Sequence, residues 1–257
     1  MGALHAGHAS LMTAARAEND LAVLSIYVNP TQFAPHEDFD SYPRTWETDC
    51  AMAEAGGIDL IYAPRNLYPS GYATYVTVEG LSEGLCSGTR PHFFRGVATV
   101  VCKLFNAVLP HRAYFGQKDA QQCAIITRMA KDLDMGVDVV EMPIVREADG
   151  LAMSSRNRYL TDEQRTRALC LSRSLRQAEA LLDAGEREAA VILAAVREGM
   201  AEVPIDYAVL VDAATIAPID HVCGTVLVAV AANMGPARLI DNIKYIVPET
   251  ERNAESV

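Results

Sequence analysis

The 257-residue chain lacks several features that mark whole classes of protein. Half of its residues are hydrophobic, yet no apolar run reaches the roughly 18 residues of a membrane-spanning helix, so none is expected. No basic head leads into an apolar core and a small-residue cleavage site, so no secretory signal is expected either. The six cysteines stand at positions 50, 86, 102, 123, 170 and 223. None forms a C-x-x-C pair, which speaks against structural zinc and thioredoxin-type chemistry. They read as reduced thiols of a cytoplasmic protein. Basic residues are in the minority: 22 Lys and Arg face 33 Asp and Glu, a net charge of −11. That balance argues against broad nucleic-acid binding. It also requires an anionic substrate to be drawn in by local basic side chains. Internal repeats and low-complexity tracts are absent, and so is an obvious Ser-His-Asp or Cys-His arrangement.

What is present has the rhythm of an α/β protein. Residues 21–28 (LAVLSIYV) form a continuous apolar run that ends at Asn29-Pro30. Such a run reads as a strand buried on both faces with a loop at its carboxyl end. A helix is expected over 45–55, a second strand over 58–63 and a short third over 74–78. An amphipathic helix over 96–108 leads to a strand at 113–115. Another helix at 120–132 and a strand at 137–145 follow. Strands alternating with helices of this length indicate a Rossmann-like parallel sheet with helices on both faces. Sheets of this kind bind ligands at the carboxyl ends of their strands.

The pattern changes after Leu160. Thr161 and Gln164 form a capping box signature. Two helical stretches, about 163–183 and 186–200, precede strand-like runs at 206–211, 225–231 and 237–240. The expectation is therefore a nucleotide-handling domain over 1–160 and a smaller carboxy-terminal α+β domain over 161–248. Residues 249–257 read as a polar, disordered tail.

Four loops coincide with the expected strand ends or helix starts. The first is Met1-Gly2-Ala3-Leu4-His5-Ala6-Gly7-His8, where two imidazoles three apart share one face of a helical turn. Gly7 lets a phosphate chain approach the backbone, and a helix start offers unpaired N–H groups to it. The second comprises Asn29, Gln32 and Tyr42. The third is Gly116-Gln117-Lys118-Asp119, followed by Gln122 on the next helix. The fourth, after Val145, is Met153-Ser154-Ser155-Arg156, with two hydroxyls and a guanidinium suited to phosphate. Gln32 and Gln122 carry donors and acceptors that suit a ligand with hydroxyl and carboxylate groups. Each loop alone has an ordinary reading: surface histidines, a Lys118–Asp119 turn, a Ser-Ser helix cap. Their ordered co-occurrence on one parallel sheet favours a site.

The segments MGALHAGH, VNPTQF, YPRT, FRGVATVV, FGQKDAQQ, READGLAMSSRNRYL and LIDNI together resemble the pantoate–β-alanine ligase family, from Met1 to about Ile243. That family lies within the H-x-G-H nucleotidyltransferases. The resemblance implies that pantoate and ATP, with Mg²⁺, give pantoyl adenylate and pyrophosphate. β-Alanine then attacks the activated carbonyl and AMP leaves. No protein nucleophile is needed for this sequence. Further implications are a homodimer and a carboxy-terminal lid domain.

Residue by residue, the resemblance places His8 as the proton donor and His5 beside the phosphates. Lys118, Ser154, Ser155 and Arg156 fall on the phosphates, and Asp119 falls towards the ribose. Met1 to His8, Gly116 to Asp119, Val145 and Met153 to Arg156 match the ATP site. Gln32 and Gln122 match the pantoate pair, with Gln32 also in the β-alanine site. Asn29 and Tyr42 border that pocket. The Mg²⁺ ligands stay unassigned.

Two departures stand out. The family's Arg-Pro-Gly-His-Phe reads Arg90-Pro91-His92-Phe93-Phe94 here, so no role passes to His92. The family also has a helix and a strand ending in Pro-Thr just before the first motif, and this sequence shows neither. Besides an active ligase, two readings therefore stand. One is a truncated, non-catalytic nucleotide-binding module, and the other is a nucleotidyltransferase with a different acceptor.

Overall fold

The computed structural model describes residues 2–33, 39–40, 42–88, 92–235 and 237–248. Met1 and the tail from 249 lie outside them. The chain divides into two compact units, Met1–Val145 and Arg146–Val257. The boundary read at 160 thus falls inside the second unit. The reason is a set of contacts local to that unit. Arg146 forms an ion pair with Asp241 at 2.7 Å, Arg165 pairs with Glu147 at 2.7 Å, and Arg146 bridges to Ala152.

The first unit runs α1 (Ala6–Glu18), β1 (Val23–Ser25), α2 (Trp46–Ala55), β2 (Leu60–Tyr62), α3 (Phe93–Val108), β3 (Arg112–Gly116), α4 (Ala120–Asp132) and β4 (Asp138–Met142). A 3-10 turn at Pro30–Gln32 follows β1, and another at Gln117–Asp119 follows β3. β1 pairs parallel with β2, and β3 pairs parallel with β4. Parallel neighbours need a crossover, which α2 and α4 supply. Among the described residues the two pairs are separate two-stranded sheets, where the sequence pattern suggested a single sheet.

The strands are also shorter than their apolar runs. Only Val23–Ser25 of the 21–28 run is laddered, although the Ile26 N–H still reaches the Tyr62 carbonyl at 3.0 Å. Leu21 is 65% exposed, so this run is not buried on both faces. No strand forms at 74–78; the Val76 N–H bonds to Thr99 Oγ1 at 2.9 Å instead. A hydroxyl on α3 satisfies that backbone donor where a ladder would otherwise be needed.

α3 shows why helices are the better-read elements. Phe94, Val97, Ala98, Val101 and Phe105 recur at helical spacing and are buried, the pattern of a core-facing stripe. α4 matches it with Cys123, Ile126 and Ala130, and the two helices pack together. A second, small core joins Leu4, Met12, Leu24 and Ala53.

The second unit has α5 (Asp162–Asp183), α6 (Ala189–Gly199), β5 (Ile205–Asp212), β6 (Thr225–Met234) and β7 (Ala237–Ile246). The capping box at its start forms both bonds: Gln164 N–H to Thr161 Oγ1 at 3.2 Å and Thr161 N–H to Gln164 Oε1 at 3.0 Å. The three strands make one antiparallel sheet in the order β5-β6-β7. β7 extends well past the run read at 237–240, because its whole length pairs with β6. Leu171, Leu175 and Leu182 of α5 share one core with Ile192 and Val196 of α6 and Val226, Val228 and Val230 of β6. Among the described residues no helix is long and apolar enough to cross a membrane.

Candidate active site

The first loop is built as an entry into α1. His5 is its N-cap, and the two residues before it are held by α2. Asp49 is 1% exposed, and its carboxylate accepts the Ala3 N–H at 3.0 Å and the Leu4 N–H at 2.8 Å. Ala3 sits at φ 52, a left-handed conformation that non-glycine residues rarely take. The His5 and His8 rings lie with centroids 4.0 Å apart.

His8 Nδ1 faces the His5 backbone N–H at 3.2 Å. An N–H can donate only to an unprotonated nitrogen, so this bond leaves the proton of the neutral ring on Nε2. Burial depresses the His8 pKa to about 3, and the positive charges around it, His5 and Lys118 among them, add to the effect. Near pH 7 His8 is therefore a neutral hydrogen-bond donor through Nε2–H. It does not carry a full charge.

The second loop depends on Asn29, which is 3% exposed. Its Nδ2 donates to Gln32 Oε1 at 2.9 Å and to the Gly96 carbonyl at 3.1 Å. Its Oδ1 accepts the Thr31 hydroxyl at 3.0 Å and the Tyr68 hydroxyl at 2.8 Å. Burial raises the Tyr68 pKa, so the phenol keeps the proton it donates. Gly96 lets α3 back onto this turn, since a Cβ there would overlap the Thr31 carbonyl. Asn29 is thus engaged by the protein, and it orients Gln32. Tyr42 stacks edge-on against Phe33 at 5.7 Å.

The third loop follows β3 as expected, with Gly116 ending the strand and Gln117, Lys118 and Asp119 forming the turn into α4. Of the two glutamines that come next, Gln121 is buried and structural. It donates to the Leu81 carbonyl at 3.0 Å and accepts the Cys86 N–H at 3.2 Å. Gln122 is half-buried on the neighbouring position.

The fourth loop belongs to the second unit, just beyond Val145. Glu147 N–H to the Leu151 carbonyl, at 2.8 Å, closes a tight hairpin around Gly150, whose φ is +96. Ser154 caps the 3-10 turn Ser155–Tyr159 by accepting the Arg156 N–H at 3.3 Å. Met153, Ser154, Ser155 and Arg156 are half-buried. Arg165 holds the hairpin through Glu147 and Asp149, each at 2.7 Å. Asn157 ties Glu147 to the Ala152 carbonyl.

Within the first unit, the neutral His8 ring therefore stacks on His5 and feels the Lys118 charge, while the Gln32 amide is held by Asn29 on the turn after β1. A sequence model of the pantoate-beta-alanine ligase family matches residues 1–244. The chain belongs to the pantoate–β-alanine ligase family. It is 54% identical over 248 residues to the pantothenate synthetase of Moorella thermoacetica, covering 95% of this chain and 88% of that protein. Identity to the pantothenate synthetase of Acidobacterium capsulatum is 56%, over 95% of this chain and 83% of that protein. Among solved structures, pantothenate synthetase from Thermus thermophilus matches with a TM-score of 0.91 at 44% identity, covering 95% and 90% of the two chains. The Francisella tularensis ligase, solved with beta-gamma ATP and beta-alanine, matches with a TM-score of 0.71 at 28% identity, covering 95% and 86%.

Sequence reading of this ligase-family chain missed the residues that hold the loops. Asp49, Tyr68 and Arg165 carry no motif of their own. The one available hint was Thr45 four residues before Asp49, a spacing that brings two polar side chains together on a helical turn. Gly96 lies inside the FRGVATVV segment, but nothing local marks it as the seat of the Pro30–Gln32 turn. Met1, read as part of the ATP loop, lies outside the described residues.

Proposed function

We propose that this chain condenses pantoate with β-alanine to pantothenate, using ATP and passing through a pantoyl adenylate. The observation that carries the reading is the His5–His8 pair at the head of α1, with His8 neutral and within reach of the Lys118 charge. It stands in a chain matched to the ligase family over residues 1–244.

In this reading the carboxylate of pantoate attacks the α-phosphorus of ATP, and pyrophosphate departs. Negative charge grows on the phosphate oxygens as it does so. His8 Nε2–H, His5 and Lys118 donate to those oxygens, a form of stabilisation that acts mainly in the transition state. By the family resemblance, Ser154, Ser155 and Arg156 are assigned to phosphates, Asp119 to the ribose side, and Gly2 to Gly7, Gly116, Gln117, Val145 and Met153 to ATP binding. Gln32 and Gln122 bind the hydroxyl and carboxylate of pantoate, with Asn29 orienting Gln32 and Tyr42 bordering the pocket. The amine of β-alanine then attacks the acyl carbon, and AMP leaves with the electron pair of the acyl–oxygen bond.

Mg²⁺ is assigned to the ATP phosphates. Among the described residues no group of three or more His, Cys, Asp or Glu side chains could hold a metal ion. That suits a cation delivered mostly by its nucleotide, as Mg²⁺ commonly is. The ion would neutralise phosphate charge. We further assign the protein to the cytoplasm, as a homodimer.

The test is purified chain with ATP, Mg²⁺, pantoate and β-alanine. AMP release that requires both acids is expected. ATP binding without turnover would overturn the reading in favour of a binding module, and turnover with other acids only would point to a different acceptor. Gln122→Ala should raise the pantoate KM about tenfold or more, the effect of losing a buried polar contact, with little change for ATP.

A further inference from the structure

Asp49 is a buried carboxylate held by neutral donors, and each of its oxygens is occupied. Oδ2 accepts the Ala3 N–H at 3.0 Å. Oδ1 accepts both the Leu4 N–H at 2.8 Å and the Thr45 hydroxyl at 3.0 Å. The Asp49 N–H bonds in turn to the Thr45 carbonyl at 2.8 Å, which locks the first turn of α2. A buried carboxylate is tolerated only when such donors replace water. Two of these three donors come from the two residues that immediately precede the His5 N-cap.

Those two residues need holding. Ala3 is 1% exposed with φ 52, a left-handed conformation that is costly for an L-residue and persists only where its surroundings enforce it. Leu4 shares its small core with Ala53, one turn beyond Asp49 on the same helix. Gly2 also lies against this carboxylate: a Cβ there would come within 4.0 Å of Asp49 Oδ2. One face of α2 therefore grips the entry to α1 by two backbone hydrogen bonds and one apolar contact surface.

We infer that Asp49 is a positioning residue: by fixing the backbone of Ala3 and Leu4 it sets the direction in which His5 and His8 leave α1. The inference rests on the proposed role of those histidines at the phosphates. It adds a residue that never touches substrate and acts through the geometry of the first loop. The low pKa of His8 fits such a scaffold, since a ring held in place beside His5 and Lys118 stays buried.

The experiment compares Asp49→Asn and Thr45→Val with the unaltered chain. Asparagine keeps the shape of the side chain and one acceptor oxygen, but it turns an amide against the Ala3 N–H. Valine at 45 removes only the hydroxyl donor. Three readouts are taken: single-turnover pyrophosphate release with pantoate, the β-alanine KM, and the His8 titration by NMR without any ligand. Asp49→Asn should slow pyrophosphate release about tenfold or more, leave the β-alanine KM in place, and move the His8 pKa up from about 3 towards its ordinary value near 6.5. Thr45→Val should shift both in the same direction by less, and it carries the test if Asp49→Asn does not melt cooperatively. Unchanged pyrophosphate release together with an unchanged His8 titration would overturn the inference. A loss of rate that only tracks the folded fraction would do so too. An unaltered chain without turnover would instead count against the ligase reading, and the His8 titration would still decide the role of Asp49.

Discussion

The two units solve the problem of burying a sheet in different ways. In the second, a three-stranded antiparallel sheet pairs along its whole length, and β6 is buried at nearly every position. α5 and α6 feed one continuous core beneath it. In the first, the described residues form two short parallel pairs that are not hydrogen-bonded to each other, and each strand is at most half-buried along most of its length. Its helices carry more of the packing than its strands do. Three of the four chemically suggestive loops belong to this first, more thinly laddered unit. Loops of this kind are held less by the sheet than by single buried polar side chains, Asp49 under the first and Asn29 under the second. A site can thus be set by a few long-range hydrogen bonds where the core beneath it is small.

Stability should divide along that line. Leu175→Ala removes a side chain 1% exposed at the centre of the large core and should cost about 3–4 kcal/mol. Leu24→Ala, in the small core of the first unit, should cost nearer 2 kcal/mol, the low end of the same range. Urea unfolding of both variants measures this, and equal costs would break the comparison. Activity should divide the opposite way. His8→Ala should lower the adenylation rate about a hundredfold, the scale of losing one preorganised donor, with a smaller loss of stability than Leu24→Ala. A variant that loses stability but not rate would move His8 from the site to the scaffold.

Acid should weaken the first unit before it weakens the second. The folded-state pKa of His8 is lowered to about 3, below the unfolded value near 6.5. The neutral ring therefore contributes stability that is complete above pH 6.5 and is lost as pH falls from there towards 3. Urea titrations at several pH values, with His8→Gln as control, should show this slope in the unaltered chain only. The smallest effect belongs to the exposed Arg128–Asp132 pair on α4, one helical turn apart at 2.7 Å. Asp132→Ala should cost no more than about 0.5 kcal/mol, and a larger loss would mean that α4 depends on its surface as well as its core.

The elements best read from sequence were those whose signal is local. α4 lies at the residues its periodicity indicated, α2 and α3 come within a few residues, and the Thr161–Gln164 box forms as written. Strands fared worse in the first unit. The apolar run 21–28 says that a strand is near, but how much of it is laddered depends on a partner far along the chain, and only three residues find one. The run at 74–78 reads as a strand until Thr99 takes its Val76 donor. For the site, the motif order and the residue types of all four loops were legible, and the family follows from them. What holds Gln121 was not, because Gln121 meets the 81–86 segment only in three dimensions.

The amino-acid sequence by itself determined the helix faces and caps, the order of the loops, and membership of a family of ATP-dependent ligases, since these reside in spacing and residue type along a few turns of chain. The tertiary structure alone decided that His8 is neutral, that Asn29 faces inward to orient Gln32, and that Asp49 holds the entry to α1. Protonation and orientation depend on burial and on donors brought from dozens of positions away, and no local pattern of residues encodes either.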